Sequence, residues 1–228
     1  MAFYGIDVSE WQGDINWSSV NADFAVLRAG YGRYAAQEDK KFKANYSGCK
    51  DYHIPCGVYW YSYALTAEDA VREANACLEV IKGRKYEYPI YYDVELSEHF
   101  SLGKDAVSDI ISAFLRTVES AGYWVGLYMS AYYLKNYVRR DILDRYAVWV
   151  AHYDVTSPDY SGNYGMWQYT STGSVSGISG NVDLDAGFVD YPALIKEAGL
   201  NGYSKSEQKY VELTFDGVEY SGWLSPME

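Results

Sequence analysis

The feature that most constrains this chain is its alternation, in which short runs of β-branched and aromatic residues recur between stretches of helical periodicity. Strand candidates fall at 3–7, 24–29, 57–63, 89–95, 124–129, 147–151 and 164–169, with a shorter piece near Val182. The clearest helices run over 67–81, behind Thr66 as N-cap, and over 104–120. In the second, Val107, Ile110, Ile111, Phe114, Leu115 and Val118 form one apolar stripe, and Gly122 supplies a stop. Parallel strands need crossovers, so strands alternating with helices make a mostly parallel sheet, and eight strands in one domain favour closure. After Ala151 the connections hold little helix and many Ser, Gly and Asn residues. The expected fold is therefore α/β, an irregular TIM-like barrel, roughly (β/α)5 followed by three strands with little helix. From Asn201 onward the pattern changes. Segments 210–215 and 218–224 read as strands joined by Asp216-Gly217, a hairpin signal, so the chain divides into a barrel over 1–200 and a C-terminal β-hairpin extension over 201–228.

Composition narrows the partners. A net charge of -12 and a pI near 4.7 oppose a chain built on phosphate contacts, so no nucleic acid is expected. Cys49, Cys56 and Cys77 leave one thiol unpaired under any scheme and lack C-x-x-C spacing, which reads as buried free thiols without a zinc site. No apolar run reaches the ~20 residues that span a bilayer, and the N-terminus lacks the basic and apolar stretches of a signal peptide. A monomer without a cofactor is the expectation. Aromatic residues make up 18% of the chain, with 26 Tyr and 7 Trp; most are assigned to the core or its rim, and the rest suit a surface that binds sugar rings.

Within Pro89-Ile-Tyr-Tyr-Asp-Val-Glu95, two acids end a strand that otherwise reads as buried. Period-2 geometry turns Asp93 and Glu95 to one face and Val94 to the other. Asp7 ends the first strand, and Asp183 sits at the end of the short piece after Gly180-Asn181-Val182. In a barrel, these four would converge at the end where barrel enzymes hold their chemistry. Two carboxyls with separated pKa values are what glycoside hydrolysis requires, one protonated beside the leaving oxygen and one stabilising the oxocarbenium ion. Taken singly, each acid has an ordinary explanation: Asp7 capping the turn at Ser9-Glu10, Asp183 in an Asx-turn, Asp93 paired with Arg28. Together they are also compatible with a Ca²⁺ or Mg²⁺ site.

Other constellations fail on context. Gly30-Tyr-Gly32-Arg-Tyr-Ala35 fits a relaxed dinucleotide pattern, but the next strand ends without the acid that holds a ribose. Asn181-Val-Asp183-Leu-Asp185 opens like an EF-hand loop, yet glycine comes one position late, at Gly187, and Pro192 stands where the last ligand belongs. His53, His99 and His152 are scattered, and no metal ligand set is assigned.

An ordered set of motifs resembles glycoside hydrolase family 25: Gly5-Ile-Asp7-Val-Ser-Glu-Trp11-Gln12-Gly13, Tyr92-Asp93-Val-Glu95, Trp149-Val-Ala-His-Tyr153, Trp167-Gln168-Tyr169-Thr-Ser171 and Gly177-Ile-Ser-Gly180-Asn-Val-Asp183. The resemblance implies an N-acetylmuramidase that cleaves the β-1,4 bond between N-acetylmuramic acid and N-acetylglucosamine in peptidoglycan glycan strands, on an irregular barrel. It implies Glu95 as the acid, with Asp7, Asp93 and Asp183 lining the cleft, and Arg28, Tyr61, Tyr128, Trp167 and Gln168 as sugar contacts. Trp60 departs from the family, many members carrying His there. The resemblance further implies action outside the cell at the bacterial wall, reached after removal of a leader or by phage-type holin release; the hairpin, which lies beyond the resemblance, is read as the start of a wall-binding or linker module. Two alternatives stay open, a non-catalytic carbohydrate-binding barrel and a glycosidase of chitin-like polymers. Against the second, Tyr91 stands where a D-x-x-D-x-D-x-E run has the acid before Asp93. Asp93 could serve as nucleophile, electrostatic stabiliser or partner of the substrate's 2-acetamido group.

Overall fold

A computed structural model describes residues 2–205, 209–216 and 218–224. Eight strands close a barrel in sequence order: β1 (Phe3–Val8), β2 (Phe24–Tyr31), β3 (Cys56–Tyr61), β4 (Ile90–Asp93), β5 (Val125–Ser130), β6 (Ala147–Ala151), β7 (Met166–Gly173) and β8 (Val182–Gly187). Neighbours from β1 to β7 run parallel, whereas β8 is antiparallel to both β7 and β1. The connection between β7 and β8 covers only 174–181, shorter than the dozen or more residues that a parallel crossover needs, so the chain turns back on itself.

The helices are α1 (Phe42–Asp51), α2 (Ala67–Ile81), α3 (Ser97–Ser101), α4 (Lys104–Ser120), α5 (Ala131–Tyr137), α6 (Arg140–Leu143) and α7 (Tyr191–Ala198). The two clearest expected helices appear with the bounds read from periodicity, and the Thr66 hydroxyl caps α2 by accepting the Asp69 N–H at 3.1 Å. Only two 3-10 turns follow β1, so the first unit lacks an α-helix.

Strand alternation sorts the apolar residues into two cores. Ile6, Ala25, Leu27, Val58, Trp60, Ile90, Tyr92, Leu127 and Val150 point outward against the helices. Phe24, Val26, Tyr91, Tyr128, Trp149 and Met166 fill the barrel interior. Gly5 and Gly126 make that aromatic filling possible, because a Cβ on them would lie 2.4 Å from the Phe24 ring and 2.5 Å from the Tyr91 ring. Above this layer the inward positions turn polar.

Asn201 is buried in the barrel base, accepting the Trp124 N–H at 2.7 Å and donating to the Tyr88 carbonyl at 2.9 Å. Farther on, β9 (Lys209–Phe215) and β10 (Val218–Leu224) pair antiparallel as a separate two-stranded sheet, with Phe215 opposite Val218. Asp216 takes a φ of 53°, as such a turn requires, while its partner Gly217 lies outside the described residues. Cys49, Cys56 and Cys77 are buried free thiols, as read from their spacing. Among the described residues no helix is long and apolar enough to cross a membrane.

Candidate active site

At the mouth of the barrel the inward side chains gather around a cleft of about 270 Å³. Asp7 comes from β1, Arg28 from β2, Tyr59 and Tyr61 from β3, Asp93 from β4, and Tyr128 from β5. Glu95 lies two residues beyond β4, which ends at Asp93 and not at residue 95. Asp183 reaches the same mouth from the start of β8. It was expected at a strand end, and it meets the others because β8 runs backwards, placing Asp183 directly opposite Asp7.

Alternation also divides two expected sugar contacts. On β7 Gln168 points inward and is buried, so Trp167 must point outward. Its indole donates to the His152 carbonyl at 2.8 Å and lines a separate groove with Tyr4, Tyr169 and Phe188. Arg28, Tyr61, Tyr128 and Gln168 do line the cleft. Arg28 is committed elsewhere: its Nε donates to Asp39 at 2.7 Å and its Nη2 to Glu10 at 2.9 Å, so the anticipated pairing with Asp93 is not made.

Sequence reasoning assigned no site role to Asp185, Tyr59, Trp11, Trp149 or Tyr153. Asp185 carries a legible signal, since Asp183-Leu184-Asp185 has the same i,i+2 spacing as Asp93-Val94-Glu95. Trp11 is 80% exposed although it lines the cleft, an unusual setting for an indole. Its 3-10 turn is pinned by a capping box between Ser9 and Gln12 and by the Glu10 N–H donating to Asp39.

Hydrogen bonds fix the floor. The Tyr128 and Tyr153 hydroxyls both donate to Gln168 Oε1, at 2.7 and 2.5 Å, which forces the amide Nε2 toward Asp7 Oδ2 at 2.6 Å. Behind Asp7, the Trp149 indole N–H donates to Asp185 Oδ1 at 2.8 Å.

Every cleft carboxyl is held above its ordinary pKa, and loss of hydration is the leading cause in each case. For Asp93, repulsion from Glu95 adds to burial and the Arg28 guanidinium partly offsets both. Glu95 opens to water yet is walled by protein; this walling raises it, a hydrogen bond from Tyr61 pulls it back, and Asp183 pushes it up again. Asp183 is pushed up to about 6. Carboxyls raised in this way are suited to proton transfer. Among the described residues no His, Cys, Asp and Glu group has a metal-holding arrangement.

The sequence matches the glycosyl hydrolases family 25 over residues 6–178. The chain belongs to that family. This family 25 chain is 29% identical over 184 residues to the autolytic lysozyme of Clostridium acetobutylicum, covering 79% of this chain and 54% of that protein. Its barrel superposes on the modular autolysin LytC of Streptococcus pneumoniae with a TM-score of 0.71 and 35% identity, over 82% of this chain and 47% of LytC. A bacterial lysozyme from Streptomyces coelicolor gives a TM-score of 0.74 at 25% identity, over 89% and 98% of the two chains. The family 25 chain thus spans about half the length of the first two. LytC has also been solved with a synthetic peptidoglycan ligand.

Proposed function

We propose that this chain is an N-acetylmuramidase that hydrolyses the β-1,4 bond between N-acetylmuramic acid and N-acetylglucosamine in peptidoglycan. The observation that carries the reading is the placement of Asp93 and Glu95 at the C-terminal end of β4, inside a cleft shared with Asp7 and Asp183. Membership of family 25 and the peptidoglycan ligand of LytC support the substrate class.

Glu95 is the general acid. It is the carboxyl open to water, and its walls favour the protonated form, so it can protonate the leaving glycosidic oxygen. Asp93 lies deeper, where burial and repulsion from Glu95 hold its pKa well above the ordinary value and Arg28 offsets only part of that rise, and the same repulsion opposes ionising both carboxyls. The reaction calls for Glu95 protonated and Asp93 ionised once substrate is bound, so that negative charge sits beside the developing oxocarbenium ion or the 2-acetamido group that attacks it. Tyr61, Tyr153 and the exposed Trp11 offer faces on which sugar rings stack.

Glu95→Gln keeps the shape and removes the proton, and is expected to lower hydrolysis of purified walls by on the order of 10²-fold or more. Turbidity clearance by that variant at the wild-type rate would contradict the assignment of Glu95, and no clearance by the wild type would favour a non-catalytic carbohydrate-binding barrel.

A further inference from the structure

The floor of the cleft holds an acid that the proposed mechanism does not use. Asp185 is fully buried, its Oδ1 accepts the Trp149 indole N–H at 2.8 Å, and its Oδ2 has no hydrogen-bond donor. In the β1–β8 pairing Asp185 stands opposite Gly5 and Asp7 opposite Asp183, so the carboxyl of Asp7, itself buried and oriented by Gln168, is the diagonal neighbour of Asp185 on the same inward face. Two carboxylates cannot face each other this way without a proton or a cation between them. The nearby cation, Arg28, is bound to Asp39 and Glu10.

We propose that Asp7 and Asp185 share a single proton in a carboxyl–carboxyl hydrogen bond, so that Asp185 is a positioning residue fixing the orientation and the charge of Asp7. The pair then carries one negative charge instead of two. Its surroundings favour this state. Asp183 on β8 and Asp93 on β4 add negative charge against Asp7, and Glu95 adds more beyond Asp93. Tyr59, Tyr91 and Tyr128, on β3, β4 and β5, face the pair as phenols held neutral by burial. Tyr153 beyond β6 and Tyr169 on β7 are likewise raised. Trp149 and Gln168 donate to one oxygen of each carboxyl, leaving the shared proton as the remaining link. The catalytic meaning of the pair rests on the muramidase reading, whereas the proton itself can be observed without substrate.

Infrared difference spectroscopy on the full chain at neutral pH tests it. The wild type is expected to show a deuterium-sensitive C=O stretch of a protonated carboxylic acid that disappears in Asp185→Asn. The same band disappears in Asp7→Asn, because each amide N–H₂ donates to the surviving carboxylate. Acid bands from Glu95 and its neighbours are common to all three proteins and cancel, so a wild-type-minus-variant spectrum without such a band for either variant would overturn the proposal. On purified walls, Asp185→Asn is expected to retain a kcat on the order of tenfold above that of Asp185→Leu, with similar KM, since only the amide can still hold Asp7. Equal kcat values in the two would overturn the positioning role. Absence of wall hydrolysis in the wild type would sink the muramidase reading and leave the infrared result standing.

Discussion

Tyr61 opposes the rise that burial imposes on the pKa of Glu95. Its hydroxyl hydrogen-bonds the Glu95 carboxyl and favours the ionised form. Removing that bond in Tyr61→Phe should raise the Glu95 pKa. A general acid works while protonated, so the alkaline limb of the kcat/KM profile should move to higher pH. A pH–rate profile that stays in place, or moves down, would show that Tyr61 does not tune the acid. At this scale the sequence was informative where spacing speaks and silent where partners decide. Asp93 and Glu95 were legible from their i,i+2 placement, and Gln168 and Trp167 could have been separated by the same rule. That Arg28 binds Asp39 and Glu10 was not legible, because those residues arrive from other loops of the barrel rim.

The short β4 strand carries the proposed catalytic pair, and a buried polar network holds its end in place. The Tyr92 hydroxyl donates to Glu73 Oε2 on α2 at 2.7 Å and meets the Ser62 hydroxyl at 2.7 Å. Ser62 in turn donates its N–H to the Asp93 carbonyl at 2.9 Å and lies 3.4 Å from Nε2 of the buried His99 on α3. Glu73 is fully buried without a cation and accepts the Tyr63 N–H at 2.8 Å. Tyr92→Phe would leave that carboxylate short of a donor, at a cost of about 1–3 kcal/mol in unfolding free energy. Urea denaturation of the variant measures this, and an unchanged midpoint would remove the network from the account. Elements with clean periodicity, such as α2 and α4, were legible to the residue. The reversal of β8 follows from the short 174–181 connection, which the sequence reading, with its strand piece only near Val182, did not resolve. Helix α1 was harder to read, since it carries Asn45 and Gly48 on its buried side, where the Trp17 ring occupies the space a Cβ would take.

Across the whole molecule, gathering these acids makes stability depend on pH. For Asp183 the ordinary value of 3.8 rises to about 6 on folding, so the native state holds its proton more tightly than the unfolded chain. That contribution is fully present below about pH 4 and is lost as pH rises through about 6. Asp7, Asp93 and Asp185 are shifted in the same direction. Thermal melts at constant ionic strength should therefore show a decline across this window that Asp183→Asn makes shallower. A wild-type melting temperature that climbs over the same range through this cluster, reversed by the same variant, would contradict the linkage. The β9–β10 hairpin pairs with itself, and we propose that it opens a wall-binding or linker module. Removing residues 206–228 should leave hydrolysis of soluble fragments intact and weaken adsorption to intact walls, as a pull-down would show; unchanged adsorption would leave the hairpin without that role. The central claim is the bond that is cut. Purified peptidoglycan digested by the full chain, reduced with borohydride and analysed by mass spectrometry, should yield fragments ending in reduced N-acetylmuramic acid. Fragments ending in reduced N-acetylglucosamine, or cleavage confined to peptide bonds, would contradict it.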